Sequence, residues 1–123
     1  LTRAPTVETL IRYAAGADDY APLHFDHNYA LTRGYDGVIV HGFLKAGYLA
    51  TMVEDWAGPG AFVKRFRAEY RGADYPGRPI TCRGRVSRWH EEEGHRAADL
   101  ALRTERADGS VSTRGSATVV FPD

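Results

Sequence analysis

The feature that most constrains the fold is a change in the period of the apolar residues at Gly58-Pro59-Gly60. Before it, the stretch Gly42–Ala57 has the spacing of a helix, with the small residues Ala46, Gly47 and Ala50 at its middle. The glycine and proline residues end this helix. After it, apolar and polar residues alternate as they do in β-strands. One long helix followed by several antiparallel strands predicts an α+β fold.

Turn signals divide the second half of the chain into separate strands. Pro76-Gly77 marks a turn, Glu92–Gly94 links the middle two strands, and Asp108-Gly109 is a hairpin signal. In the first strand, Phe62, Phe66, Ala68 and Tyr70 are expected on one face, with Arg65, Arg67, Glu69 and Arg71 on the other. The four predicted strands are Phe62–Arg71, Ile80–Trp89, Arg96–Arg106 and Val111–Phe121.

The central helix and the sheet suggest how the chain assembles. A glycine such as Gly47 costs a helix about 0.5–1 kcal/mol relative to alanine, which predicts that a tightly wrapped sheet passes close to it. A sheet curved around one helix leaves an open edge, and so short a chain would be only marginally stable with that edge exposed. We therefore expect a dimer that makes the sheet continuous.

Composition and charge exclude several classes of protein. The 123 residues suit one domain, 1–123, and 43% hydrophobic with 26% charged residues is ordinary for a globular chain. Sixteen basic and sixteen acidic residues leave no net charge to attract nucleic acid or a membrane surface. No apolar run approaches the roughly 18 residues of a membrane-spanning helix. The single cysteine, Cys82, cannot form an internal disulfide, which fits a reducing cytoplasm.

The segment Asp18–Asp26, DDYAPLHFD, carries the first candidate site. It follows a short helix that Thr6 caps, and its turn-forming residues predict a loop. Pro22 fixes its own φ and favours an extended Ala21, so Asp19 and His24 have few relative arrangements. A carboxylate and an imidazole form the commonest general acid/base pair.

The start of the central helix is the second candidate site. An apolar run from Val38 leads into His41 and Gly42, where the helix is expected to begin. The first backbone amides, near Gly42 and Phe43, would lack helical acceptors and would lie at the positive end of the helix dipole. Such a terminus can polarise a carbonyl oxygen, as acyl-thioester chemistry requires.

Together these segments resemble the MaoC-like dehydratases, or (R)-specific enoyl-CoA hydratases, of the hot dog fold. That family's pattern is approximately D-x-N-P-x-H-x-D, a spacer, and then H-G with a hydrophobic residue at the helix start. The resemblance implies an antiparallel sheet wrapped around a long central helix, with catalytic Asp19 and His24 and thioester-binding amides at Gly42 and Phe43. Asp26 and His41 take supporting roles.

The activity implied is hydration of a trans-2-enoyl-CoA to a (3R)-3-hydroxyacyl-CoA, or the reverse dehydration. Water is the only nucleophile, so neither a metal nor a nucleotide cofactor is required, and coenzyme A or an acyl carrier protein belongs to the substrate. Ala21 replaces the family's usual Asn, and Gly47 stands where some members carry Ser. The segment Asp55–Phe66 is also similar to actinobacterial members that act as heteromers on bulky, steroid-derived acyl-CoAs.

Other interpretations of single residues remain open at this stage. Asp19 could simply cap the loop beside a partly exposed His24, and His41 could brace the loop by hydrogen bonding. The group His24, Asp26, His27 and His41 contains metal-ligand types but lacks an HExxH or cysteine pattern. Several further side chains could have either a functional or a purely structural role. These are Arg65, Arg67 and Arg71 as phosphate ligands or solvent-facing charges, Tyr20 and Phe25 as pocket or packing residues, and His90 and His95 as a solvated hairpin tip.

Two other functions also remain open. A hot dog thioesterase would hydrolyse the same substrates, but it usually takes its carboxylate from the central helix. Glu54 and Asp55 lie near the end of that helix, too far from its start. A catalytically silent subunit of a heteromer is the second alternative, against which the intact Asp19, His24 and Gly42 argue.

Overall fold

The computed structural model describes residues 1–122. Three helices and five strands follow one another, with a 3₁₀ turn at Pro22–His24 after the first helix. The helices are α1 (Val7–Ala17), α2 (His27–Thr32) and α3 (Gly42–Ala57). The strands are β1 (Thr2–Arg3), β2 (Phe62–Tyr70), β3 (Ile80–Glu92), β4 (His95–Glu105) and β5 (Val111–Phe121). The predicted α+β order is therefore confirmed, with β1 as an additional short strand.

The helix boundaries follow from local chemistry. The Thr6 hydroxyl accepts a hydrogen bond from the Thr9 amide and the Thr9 hydroxyl accepts one from the Thr6 amide, a complete capping box at the start of α1. Asp18 ends α1 in the left-handed conformation, with φ of 53°. The helix α3 spans the predicted residues and ends at Gly58, whose φ is 79°. None of the helices formed by residues 1–122 combines the length and apolar character that a membrane crossing requires.

All five strands form one antiparallel sheet in the order β1-β3-β4-β5-β2. The strands β3 and β4 are joined by a two-residue turn, Glu93-Gly94, in which both φ angles are positive. This turn lets β3 run three residues past the predicted Trp89, while β4 keeps its predicted length and begins one residue earlier, at His95. The helix α3 packs against one face of the sheet and buries a common core with it. That core consists of Leu49, Val53, Cys82, Leu100, Leu102, Ala117 and Val119.

A β-bulge in β2 corrects the predicted distribution of side chains. Opposed residues of an antiparallel pair point to the same face, and Phe66 lies opposite the core residue Ala117. The register shifts between Val63 and Arg65, so Val63 lies opposite the core residue Val119 while Phe62 does not. Phe62 is therefore on the face away from the core, contrary to the alternation expected from the sequence.

The reason proposed for Gly47 is also wrong within this chain. Gly47 is exposed, and a Cβ atom built on it would meet nothing within 4 Å. The close approach occurs instead at Gly42, where a Cβ would lie 3.1 Å from three atoms of the Tyr70 ring. Tyr70 ends the edge strand β2, so this contact joins the start of α3 to the edge of the sheet.

Candidate active site

The loop after α1 is held by a short series of backbone bonds. The Asp19 amide donates to the Ala14 carbonyl over 3.0 Å, which closes the end of the helix. Ala21 has φ of −59° and ψ of 129°, so the extended conformation expected before Pro22 is confirmed. The Ala21 amide then donates to Asp19 Oδ1 over 3.3 Å, which fixes the carboxylate relative to the turn.

The imidazole of His24 is oriented by the chain segment that leads into α3. Its Nδ1 lies 2.8 Å from the Ile39 carbonyl oxygen. A carbonyl only accepts, so Nδ1 carries the hydrogen and the neutral ring keeps its lone pair on Nε2. The Ile39 amide in turn donates to the Leu23 carbonyl over 3.0 Å. These two bonds tie the loop to the helix entry and leave one ring nitrogen available as a base.

Asp19, His24 and His41 meet in one small volume. One side-chain oxygen or nitrogen of each lies within 4.8 Å of those of the other two. A single water molecule can bridge two groups at such a separation, because each of its hydrogen bonds spans about 2.8 Å. The structure thus brings together the acid and the base that the sequence singled out, and adds His41 beside them.

His41 is fully buried and its ring is packed between two others. The Tyr13 ring lies on one side at 4.8 Å between centroids, and the His24 ring on the other at 3.8 Å. Neither ring nitrogen of His41 has a hydrogen-bond partner of normal geometry among residues 1–122, although the Asp19 backbone lies close enough to raise the pKa of the ring, so the stack holds His41 more than a hydrogen bond does. Burial lowers the pKa of His41, His24 lowers it further, and Asp19 opposes them. The ring is therefore kept neutral.

The geometry does not favour a metal ion shared by these residues. Imidazole lone pairs lie in the ring plane, and the planes of His24 and His41 are only 20° apart in a stack. Their lone pairs run side by side and do not converge on a point about 2.0–2.1 Å from both nitrogens. Asp26 is occupied differently, since its carboxylate accepts from the Tyr29 amide and caps α2. His27, the first residue of α2, is exposed.

The start of α3 presents unpaired backbone donors beside this group. His41 is the N-cap residue, but its side chain caps no amide. The amides of Gly42 and Phe43 have no acceptor among residues 1–122. They lie at the positive end of a 16-residue helix, where an anionic oxygen is stabilised. Such donors suit a carbonyl oxygen that gains negative charge during a reaction.

Two tyrosines near the site were not identified from the sequence. Tyr13 stacks on His41, and both burial and the charge of Asp19 raise the pKa of its phenol. Tyr70 lies against Gly42, with its ring perpendicular to that of Phe43. Tyr13 follows Leu10 by three residues on the inward side of α1, and this helical spacing in the sequence could have predicted that Tyr13 faces the site. The contact of Tyr70 depends on a crossing between distant elements, so no local pattern reveals it.

An apolar cavity of about 190 Å³ adjoins the acid and the base. Its walls come from α1 and from the loop that carries the two groups. The residues that line it are Leu10, Ile11, Ala14, Asp19, Tyr20, Ala21, His24 and Phe25. Tyr20 and Phe25 are each more than half exposed, so they border its mouth and do not belong to the core.

The charged residues noted on the sheet are paired with one another. Arg65 forms an ion pair with Glu92, while Arg67 and Arg71 share Glu69 at 3.0 Å and 2.6 Å. These pairs offset much of the positive charge that phosphate binding would use. The prediction that His90 belongs to a solvated hairpin tip is wrong. The side chain is 14% exposed, and its Nε2 lies 2.9 Å from Asp99 Oδ1.

Comparison with known protein families decides the classification. The model of the MaoC like domain matches residues 2–106, which is most of the chain and includes both candidate segments. The chain belongs to the MaoC-like dehydratase domain family. This MaoC-like domain is 26% identical over 111 residues to the (R)-specific enoyl-CoA hydratase of Aeromonas caviae, covering 89% of the chain and 81% of that protein.

Solved structures identify the fold of the MaoC-like domain. It matches the (R)-hydratase from A. caviae involved in PHA biosynthesis with a TM-score of 0.88 at 24% identity, over 99% of this chain and 92% of the other. It matches the ChsH1-ChsH2 complex from Mycobacterium tuberculosis with a TM-score of 0.87 at 18% identity, again over 99% and 92%. The MaoC-like domain therefore has the hot dog fold that the sequence predicted, with a five-stranded antiparallel sheet and α3 against it.

Proposed function

We propose that this MaoC-like domain adds water across the double bond of a trans-2-enoyl thioester, or removes water from a (3R)-3-hydroxyacyl thioester. The observation that carries the proposal is the meeting of Asp19 and His24, with the lone pair of His24 kept on Nε2 by the Ile39 carbonyl. The (R)-specific enoyl-CoA hydratase among the relatives supports the reaction type and the configuration of the product.

The amides at the start of α3 hold the thioester in this mechanism. The carbonyl oxygen accepts from Gly42 and Phe43, and it becomes enolate-like when hydroxide adds to C3. Preorganised donors stabilise that charge without needing to reorganise during the reaction. Gly42 and Phe43 thus stabilise the negative charge that develops on that oxygen.

Asp19 and His24 hold the attacking water between them. One of the pair withdraws a proton from the water as its oxygen bonds to C3, and a proton is delivered to C2. All atoms of the water enter the product and no electrons are transferred, so the reaction consumes neither a nucleotide nor a redox cofactor. Coenzyme A or an acyl carrier protein enters only as the thioester part of the substrate.

The open edge of the sheet supports assembly into a dimer or a heteromer. The strand β2 is an edge strand, and Phe66 and Tyr70 on its core face are more than one third exposed. Phe43 of α3, beside Tyr70, is 71% exposed. A partner that continues the sheet at β2 would cover Phe66 and Phe43. The ChsH1-ChsH2 complex, one of the matching structures, is an assembly of two different chains.

A substrate assay tests the function directly. The purified protein is incubated with crotonyl-CoA, with longer enoyl-CoAs and with polycyclic enoyl-CoAs that represent steroid-derived chains. Loss of the absorbance of the conjugated thioester without release of free thiol is expected. Thiol release would identify a thioesterase instead, although Glu54 lies 12 residues and so roughly 18 Å along α3 from its start. No change with any substrate, alone or with a candidate partner chain, would contradict the proposal.

A further inference from the structure

Tyr70 occupies an unusual position for a residue on the edge of a sheet. Three atoms of its ring, Cδ1, Cε1 and Cζ, lie 3.1 Å from the place where Gly42 would carry a Cβ. Cζ bears the hydroxyl, so the phenol itself lies at the first residue of α3. Glycine at position 42 permits this contact, since any side chain there would displace the ring.

The hydroxyl of Tyr70 is free to donate. It makes no hydrogen bond to any residue in the described range 1–122, and 44% of the side chain is exposed. Burial of the ring raises the pKa of the phenol above its usual value, and Tyr13 raises it further. Tyr70 is therefore protonated at neutral pH and has its hydrogen available.

Tyr70 also belongs to the same neighbourhood as the acid and the base. Tyr13 lies near enough to raise the pKa of the Tyr70 phenol, and Tyr13 in turn stacks on His41 and has its own pKa raised by Asp19. On the other side, Tyr70 adjoins Gly42, whose amide lacks an acceptor among residues 1–122. A group bound at that amide would therefore meet the phenol as well.

We propose that the Tyr70 hydroxyl donates a hydrogen bond to the thioester carbonyl oxygen of the substrate, beside the amide of Gly42. This role rests on the proposed hydratase function and adds a side-chain donor to the two backbone donors. Removal of one preorganised donor of this kind lowers turnover by about 10²–10³-fold in other enzymes. Because Tyr70 is partly exposed, about 10–100-fold is expected here.

The test is Tyr70→Phe, which keeps the ring against Gly42 and removes only the hydroxyl. With an enoyl-CoA that the wild type hydrates, kcat should fall about 10–100-fold while KM changes little. Tyr35→Phe is the matched control, since Tyr35 lies outside the site, and it should match the wild type. A second readout is binding of a 3-oxoacyl-CoA, whose enolate absorbs in the near ultraviolet. The wild type should raise the enolate fraction, and Tyr70→Phe should lose this effect.

Each outcome decides between the two proposals. A wild type that hydrates enoyl-CoA, with an equally active Tyr70→Phe variant, would overturn the role of Tyr70 alone. A rise in KM with unchanged kcat, or activity lost in step with thermal stability or oligomeric state, would assign Tyr70 to packing and also overturn it. A wild type that neither hydrates any enoyl-CoA nor stabilises the enolate would overturn the proposed function and this role together.

Discussion

Asp19 and His24 owe their positions to backbone contacts more than to their own packing. His24 is oriented by the Ile39 carbonyl, and Asp19 is held by the Ala21 amide. Ala21 stands where the family usually has Asn, so this chain keeps the loop in place without that side chain. The extended conformation of Ala21 before Pro22 supplies the restriction.

Removing either member of the acid/base pair should abolish most of the turnover. Asp19→Asn and His24→Ala are each expected to lower kcat by about 10²–10⁴-fold, the usual contribution of a positioned proton-transfer group. Asp18→Asn is the matched control, because Asp18 is exposed and Asn tolerates its left-handed conformation. Steady-state hydration of crotonyl-CoA measures the effect. Full activity in both site variants would contradict the assignment.

His41 should make folding stability depend on pH. Burial lowers its pKa below the usual 6.5, so the unfolded chain binds a proton that the folded chain does not. The free energy of unfolding should therefore be complete above pH 6.5 and should decrease as the pH falls below it. His41→Phe keeps an aromatic ring in the stack and should flatten this dependence.

The measurement for His41 is the midpoint of thermal unfolding between pH 5 and pH 8, compared between wild type and variant. Carboxylates with lowered pKa affect both proteins at more acidic pH and cancel in the difference. His27→Gln, at an exposed position, should leave the curve of the wild type unchanged. An unaltered slope in His41→Phe would show that His41 is not the group that titrates.

At the scale of the elements, a buried ion pair fixes α3 to the segment between β2 and β3. Lys45 and Asp74 are 3% and 4% exposed, and their charged atoms are 3.0 Å apart. Lys45 also donates to the Gly72 carbonyl, and the Val40 amide donates to the Asp74 carbonyl. The pair thus anchors the first turn of α3, three residues after Gly42.

Breaking this pair on one side should destabilise the fold strongly. Lys45→Met leaves the Asp74 carboxylate without its closest partner and should cost about 3–5 kcal/mol in the free energy of unfolding. Lys45→Met combined with Asp74→Leu should recover most of that loss, because an apolar pair needs no charge compensation and Arg106, the other cation beside Asp74, is about one third exposed and keeps its bonds to the Ala73 carbonyl. Arg12→Met removes an exposed ion pair with Glu8 and should change stability by less than about 1 kcal/mol.

Chemical denaturation of the three variants measures these differences. If the single variant is as stable as the wild type, Lys45 and Asp74 are not an essential pair. If the double variant regains stability but not kcat, the pair also positions the amides of Gly42 and Phe43.

The helices and strands that could be predicted from the sequence are those whose limits depend on residues close together in the chain. The limits of α3 follow from its periodic side chains and Gly58, and β5 follows from alternation after Asp108-Gly109. The burial of Lys45 could not be predicted, because its partner Asp74 lies 29 residues away. The bulge that turns Phe62 outward depends on the register with β5, which no feature of β2 alone determines.

The same distinction applies to the candidate site. Asp19 and His24 stand out as an acid/base pair within one short loop and Gly42 as the start of a helix, and a family pattern joins these two segments, which lie apart in the chain. The hydrogen bond from His24 to Ile39 and the ring stack of His41 required the folded chain. They arise from contacts across 15 residues or more, which spacing alone does not describe.

For the whole molecule, the exposed rings beside the sheet edge predict how it associates. Phe66→Glu places a charge on the core face of the edge strand β2 and should convert a dimer or heteromer into monomers. Leu31→Glu is the control, since Leu31 is similarly exposed but lies on α2, outside the sheet. Sedimentation or gel filtration with light scattering measures the mass. A wild type that is monomeric alone and with candidate partner chains would contradict the assembly.

The strand that ends in Tyr70 is also the strand left open to a neighbour. If that strand both binds a companion chain and carries a hydroxyl that donates to the substrate, the identity of the companion can alter the rate of the reaction. Exchanging one companion for another would change the surroundings of that hydroxyl without altering a single residue of this chain.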